Sequence, residues 1–281
     1  MPTKIAAAQI DITLADRERN LARMLDVLTE TAKNGAKLTV FPEAALPGYC
    51  FENLDEARPH AEPIPGPSTE RFTRACRELN VFAIYGLLEA APVEAGSDRL
   101  FNACVLVGPS GLIASYRKVH LPFLGMDRFT TPGDRPFAVY DAGGVNIGMH
   151  ICYDGGFPEP ARVMTLLGAD LLVLPTNWPP GSECMAGSAV NTRAMENNVY
   201  YLACNRVGVE RGFRFIGQSK ICDPRGRVLA EAAHDREEIL YANIDVAFAR
   251  QKHIIRVPKL HEIDRLRDRR PEFYGPIVEP R

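Results

Sequence analysis

Three residues of this 281-residue chain carry reactive groups at points where strand and turn signals would hold them: Cys152, Glu43 and Lys118. The apolar stretch from Val145 to Ile151 runs straight into Cys152. The polar bend Tyr153-Asp154-Gly155-Gly156 follows, and Pro158-Glu159-Pro160 opens a helix-like segment through Leu167. A strand–elbow–helix lifts a thiol out of a sheet, and the free N–H groups of the helix start favour a developing anion. The same residue also reads as a small buried hydrophobe, the commonest role of a free cysteine.

A cysteine nucleophile needs a base for its proton and positive charge for the oxyanion. His120 and His150 are the nearest imidazoles in sequence. His150 shares a strand face with Cys152 at i and i+2, but that alone does not make ring and thiol converge. Papain-like and caspase-like signatures are absent around Cys152. Glu43 follows Val40-Phe41-Pro42 and precedes Ala44-Ala45-Leu46, which puts a carboxylate among apolar residues. Lys118 ends the strand-like run Ile113-Ala114-Ser115-Tyr116 and is followed by Val119-His120-Leu121-Pro122. Desolvation raises a carboxylate toward a useful general base, and a buried ammonium balances a thiolate or an oxyanion. Each residue taken singly also reads as a surface charge. Ligands bind where the strands of open sheets end, so the three strand ends could meet at one site.

The elements that would position them follow from periodicity. Leu21, Met24, Leu25 and Leu28 form one face of an amphipathic helix that Gly35 is placed to end. Leu38 to Phe41 is a short strand stopped by Pro42, and Phe72, Ala75, Cys76 and Leu79 mark a second helix with Ser68 as its N-cap. Strand-like runs cover Val81 to Leu88, Asn102 to Val107, Leu112 to Lys118 and Asp170 to Leu174. A helix ending near Asn197 leads to the runs Val199 to Cys204, Phe215 to Cys222, Val228 to Ala232 and Ile239 to Ile244. A short helix and a Pro-rich tail follow. Near-continuous apolar strands alternating with amphipathic helices predict layered sheets covered by helices, α/β or α+β, and the strand-rich stretches favour mixed sheets with hairpins. No linker or repeat divides the chain, which predicts one domain.

Composition narrows the function. At 46% hydrophobic residues the chain can bury a large core, and a formal net charge of −2 does not suit a nucleic-acid binder. The arginines Arg265, Arg267, Arg269 and Arg270 are interleaved with Asp264 and Asp268, a solvated or subunit-contacting face rather than a phosphate track. Seven cysteines without a C-x-x-C spacing argue against a zinc module or disulfide framework and for a reducing compartment. Lys4 to Ile10 reads as a first strand rather than a signal peptide, and no apolar run approaches membrane-spanning length, which predicts a soluble cytoplasmic protein.

Phe41-Pro42-Glu43, Tyr116-Arg117-Lys118-Val119-His120-Leu121 and Ile151-Cys152-Tyr153-Asp154, in that order, resemble the nitrilase (carbon–nitrogen hydrolase) superfamily, on its amidase-like side. The likeness extends through Thr131-Pro132-Gly133-Asp134, Arg193 to Asn197, Asn205 to Gly208, Gly217-Gln218-Ser219 and Asp223 to Gly226, and so covers nearly the whole chain. The resemblance implies an α+β fold, a four-layered αββα sandwich with two mixed sheets, paired in a homodimer that continues the layers. It implies a single domain over residues 1–260 and a C-terminal tail over 261–281, with the tail and the Arg193–Asn197 helix at the subunit contact. It also implies a Glu43–Lys118–Cys152 triad with Glu43 as general base. Lys118 and the backbone N–H of Tyr153 would hold the oxyanion. Neither a metal nor an organic cofactor is implied, and the partner is a small-molecule amide or nitrile.

Many members of that superfamily carry a second glutamate six residues before the proline of Pro-Gly-Asp. Here Met126 holds that position, so Asp127 is the candidate replacement, against the reading of a surface carboxylate beside Arg128. Trp178, the sole tryptophan, follows a strand end in Thr176-Asn177-Trp178-Pro179-Pro180, as a pocket wall or a packed loop aromatic. Phe123, Leu124 and Met126 form an apolar rim or pack the loop. The elbow has no arginine after Asp154, in contrast to relatives that act on carboxylate-bearing amides, which predicts a neutral or cationic aliphatic amide or an N-carbamoyl compound. Nitrile hydrolysis, a non-catalytic relative and a redox-sensing thiol protein are the competing readings.

Overall fold

A computed structural model describes residues 2–91, 99–232 and 234–279. The first half runs β1 (Thr3–Gln9), α1 (Arg17–Lys33), β2 (Leu38–Val40), the single turn α2 (Leu54–Ala57) and α3 (Pro67–Leu79). Three long strands follow, β3 (Phe82–Ala91), β4 (Arg99–Gly108) and β5 (Gly111–Arg117). The second half begins β6 (Val139–Asp141), β7 (Asn146–Met149), α4 (Pro158–Leu166), β8 (Leu171–Pro175), α5 (Val190–Asn197) and β9 (Tyr200–Cys204). It continues with β10 (Val209–Glu210), β11 (Phe213–Arg214), β12 (Lys220–Cys222), β13 (Val228–Glu231) and β14 (Glu238–Ile244). The chain closes with α6 (Val246–Arg250), β15 (Ile254–Val257) and β16 (His261–Ile263).

Two six-stranded mixed sheets result, ordered β14-β1-β2-β3-β4-β5 and β13-β12-β9-β8-β7-β6. Each has parallel strands at its centre (β1, β2 and β3; β7, β8 and β9) and antiparallel pairs at its edges. Side-chain alternation sorts the faces. Ala103, Val105 and Val107 of β4 pack with Leu21, Met24, Val27 and Leu28 of α1 and Phe72 and Cys76 of α3. Cys104 and Leu106, one residue out of phase, join Ile147, Met149 and Leu172 of the second sheet in the core that also takes Ala161, Met164 and Ala194 from α4 and α5. The layers are therefore helix, sheet, sheet, helix, the αββα arrangement expected. Each fully buried side chain of α1's apolar stripe contributes on the order of 1.5–3 kcal/mol, which is what docks the helix. No helix among the described residues is long and apolar enough to cross a membrane.

Two local expectations are corrected. Ser68 does not cap α3: Gly66 is the N-cap, Pro67 takes the first helical position, and Ser68 N–H donates to the Glu62 carboxylate instead. Pro67 fits the first helical turn because it lacks only an N–H that would have gone unpaired. The run Phe215 to Cys222 is a strand only from Lys220. Gly217 and Gln218 adopt φ of +65° and +58°, and the Gly217 carbonyl accepts from the Asn205 side chain at 2.6 Å instead of a neighbouring strand. Residue 261, the expected start of the tail, lies in the β15–β16 hairpin, and residues 280 and 281 lie outside the described residues.

Candidate active site

Glu43 sits one turn beyond β2, where the chain folds back over β3. Gly86 N–H donates to the Pro42 carbonyl and Leu46 N–H to the Gly86 carbonyl. The approach is close enough that a Cβ on Gly86 would overlap the Ala44 nitrogen and stand 2.8 Å from the Glu43 Cα. Glycine is required there by space. Lys118 follows β5, fixed by its N–H to the Asn102 carbonyl at 2.8 Å, and Asp127 rides a 3-10 turn, Gly125–Arg128.

These three groups meet in a sealed cluster. Lys118 Nζ donates to Glu43 Oε1 at 2.7 Å and to Asp127 Oδ2 at 2.5 Å, with all three side chains buried. Asn102 Nδ2 bridges the two carboxylates, donating to Glu43 Oε1 at 2.7 Å and to Asp127 Oδ1 at 2.8 Å. The Tyr49 hydroxyl donates to Asp127 Oδ2 at 2.7 Å. Asp127 is thus not a surface carboxylate beside Arg128. Its side chain is shorter than glutamate's and begins one residue later, but the 3-10 turn brings it to the lysine.

The electrostatics of the cluster are those of one cation between two anions. Burial raises the Glu43 carboxyl above its usual value; Lys118 opposes this and Asp127 adds to it. Burial alone would depress the Lys118 ammonium, but Glu43 and Asp127 hold it well above an ordinary lysine. Glu43 Oε2 has no hydrogen-bond partner among the described residues, so one oxygen of this carboxylate remains free to take a proton.

Cys152 faces the cluster from the second sheet. It opens a 3-10 turn, Cys152–Gly156, directly after the Ile151 that follows β7, with φ of +46°. A left-handed cysteine is uncommon and marks a sharp elbow. Burial pushes its thiol up to about 12; Glu43 adds to the shift, while Lys118, the Asn177 N–H and the Thr176 hydroxyl oppose it. The residue keeps 7% exposure. A thiol so placed stays protonated at neutral pH and needs a base to become a nucleophile. Tyr153 follows within the same turn, 45% exposed as a residue and with its ring edge-on to Phe157. The opening N–H groups of such a turn have no carbonyl inside it to bond.

The two histidines are engaged elsewhere. His150 is fully buried, donates to or accepts from the Tyr201 hydroxyl at 2.7 Å, and is pushed down to about 4 by burial. His120 pairs with Asp154 and stacks on Phe157. Trp178 is buried in the same core cluster as Cys152, its loop pinned by Trp178 N–H donating to Asn205 Oδ1 at 2.8 Å. The proposed rim divides: Met126 is core, Leu124 packs partly against it, and Phe123 is 89% exposed. The elbow bears no cation of its own, but Arg193 of α5 reaches the Gly156 carbonyl at 3.4 Å while paired with Glu196 at 2.9 Å.

Sequence reasoning missed Tyr49, Asn102, Thr176 and Asn177 as site residues. A usable signal existed for one of them: Asn102 is an amide in the middle of the apolar run Leu100 to Val107.

Residues 4–253 match the carbon–nitrogen hydrolase family. A nitrilase from Pyrococcus abyssi (strain GE5 / Orsay) is 38% identical over 272 residues, 96% of this chain and 98% of its own. An (R)-stereoselective amidase from Pseudomonas sp. is 33% identical over 278 residues, 98% of this chain and 94% of its own. The solved structure of a carbon–nitrogen hydrolase from Helicobacter pylori G27 has a TM-score of 0.83 at 24% identity, covering 99% of each chain. With the motif residues lying at adjoining sheet ends inside a region matched almost end to end, this chain belongs to the carbon–nitrogen hydrolase family.

Proposed function

We propose that this carbon–nitrogen hydrolase cleaves a small neutral or cationic amide, aliphatic or N-carbamoyl, to a carboxylic acid and ammonia through a thioester on Cys152. The observation that carries the reading is the free Glu43 Oε2 in the buried Lys118 cluster, faced by Cys152 on its left-handed elbow. Glu43 takes the thiol proton as sulfur attacks the carbonyl carbon. The Lys118 ammonium and the Tyr153 N–H stabilise the tetrahedral oxyanion. Glu43 then gives its proton to the departing nitrogen, and ammonia leaves as the C–N bond breaks. Water enters, Glu43 removes one of its protons, and hydroxide attacks the thioester; the sulfur departs and recovers a proton from Glu43. Asp127 keeps Lys118 charged and oriented, and Trp178 closes one wall. The chemistry needs no cofactor beyond these groups.

A nitrile is the second reading, favoured by the 38% identical relative that bears the name nitrilase. The amide reading rests on Tyr153-Asp154 after the cysteine, where nitrilases tend to show tryptophan and glutamate. Matched amide and nitrile pairs, with ammonia release followed and the Cys152 peptide weighed for an acyl adduct, separate the two. Faster turnover of the nitriles would favour the second, and undiminished ammonia release by Cys152→Ala would overturn both.

The protein acts, in this reading, as a cytoplasmic homodimer built on the 1–260 domain, with the 261–281 tail and α5 at the contact. Supporting this, Val163 and Leu166 of α4 and Ile263, Tyr274, Ile277 and Val278 of the tail region line a cavity of about 870 Å³, with Leu166, Ile277 and Val278 strongly exposed. Light scattering of the full chain against one shortened by the tail tests it; an unchanged mass for the two would remove the tail from the contact.

A further inference from the structure

Asp154 is buried, follows the nucleophile by two residues, and takes no part in the chemistry above. Its carboxylate accepts four hydrogen bonds, as many as its lone pairs allow. Ile151 N–H donates to Oδ2 at 2.9 Å, closing the elbow that carries Cys152. The other three donors come from β5 and the loop that follows it: the Tyr116 hydroxyl to Oδ2 at 2.8 Å, His120 N–H to Oδ1 at 3.0 Å, and His120 Nδ1 to Oδ1 at 2.7 Å. Tyr116 and His120 stand two residues before and two after Lys118. Oδ1 and Oδ2 therefore grip the Lys118 segment on both sides while the same group ties the elbow.

We infer that Asp154 is a positioning residue that sets the separation of the Cys152 sulfur from the Lys118 ammonium by clamping their two segments together. The inference rests on the proposed role of Cys152 as nucleophile. An ionised Asp154 has only acceptors to offer, so His120 Nδ1 must carry its hydrogen toward it. Burial works against that ionisation, but His120 and the Ile151 N–H keep Asp154 below the usual carboxylate range. Phe157, stacked on His120 at 4.0 Å, holds the ring in place from its other side. A carboxylate is the group that fits: an amide of the same shape has two hydrogens of its own to place and would turn them toward donors.

Asp154→Asn, compared with the parent enzyme, tests the clamp. Misplacing reacting groups by about 1 Å costs on the order of 10²-fold in rate. We expect kcat for an amide to fall by about that factor with KM within about threefold. Alkylation of Cys152 by iodoacetamide, weighed by peptide mass, should change rate as well, while Cys184, exposed and outside the site, reacts as before in the same digest. A kcat and a Cys152 alkylation rate both within threefold of the parent overturn the inference. Because alkylation needs no substrate, it still reads the clamp should no amide be turned over, which separates failure of this inference from failure of the amide reading. Should Asp154→Asn not fold, Tyr116→Phe and His120→Phe each delete one side-chain donor and keep a ring. Lowered kcat in both with unchanged KM supports the clamp, and unchanged kcat in both overturns it.

Discussion

The two halves of the site are built on opposite principles. On the first sheet, Glu43, Lys118, Asp127, Asn102 and Tyr49 form a closed network in which all but two of the polar positions face a partner (Glu43 Oε2 and the Asn102 oxygen). On the second sheet the elbow holds a strained cysteine, and beside it Asn177 is fully buried with neither its side-chain oxygen nor its nitrogen partnered among the described residues. In the first half the cation and both carboxylates already hold one another before any substrate arrives, which is what fixed electrostatic stabilisation demands. The other half leaves polar capacity unspent, as a surface that completes itself on a ligand would.

Removing the centre of the closed half should have the largest effect. Lys118→Met leaves two buried carboxylates facing each other without their cation. Breaking a buried pair in this way costs about 3–5 kcal/mol. Activity should fall by at least 10²–10³-fold, the loss typical of one oxyanion donor. Thermal unfolding and ammonia release check both, and a variant with parental stability would show that the network is not closed as described.

Asp127→Asn is milder and carries a sign. The Asp127 charge raises the Glu43 carboxyl, so its removal lowers the pH at which Glu43 gives up its proton. The proposed mechanism requires Glu43 ionised, and on that reading the acid limb of the pH–rate profile should move to lower pH, with kcat down by about tenfold to a hundredfold as Lys118 loses one anchor. A limb that stays put or moves upward would sever Asp127 from Glu43. Next in size is Gly86→Ala, whose added methyl must push the Glu43 turn away. Overpacking of this kind costs about 1–3 kcal/mol, and kcat should fall with it while the second-sheet half, read by Cys152 alkylation, is little changed.

What the chain made legible follows the same division. Glu43, Lys118 and Cys152 stand out because charge or thiol breaks an apolar run at a strand end, and the three motifs containing them resemble one family. Asn102 and Tyr49 were hidden because their partners lie far away: Asn102 meets Glu43 across 59 positions of sequence, and only pairing of β4 with β3 and β5 brings them together. Asp154 was visible as part of a motif, but its four donors come from three residues, two of them on β5 of the other sheet and the loop after it. The helices and long strands were legible from periodicity because apolar faces decide them. The stretch from Phe215 to Ser219 was not, because its composition suits a strand while the left-handed Gly217 and Gln218 take the chain out of one.

The open half yields the smallest effect and the sharpest contrast. In the closed half an apolar substitution strands a partner; the Asn177 side chain has none to strand among the described residues. Asn177→Leu has the same branched skeleton and removes a buried amide that has no side-chain partner among the described residues; that gain offsets the overpacking by the larger methyl groups, so stability should hold. If substrate supplies the missing partner, KM should rise by roughly two- to tenfold with kcat little changed, the factor that one hydrogen bond of about 0.5–1.5 kcal/mol corresponds to. The backbone N–H of Asn177 that acts on the Cys152 thiol survives the substitution, so the sulfur itself is untouched. A loss of stability without a change in KM would mean that Asn177 belongs to the closed kind of structure after all, completed by ordered water rather than by substrate.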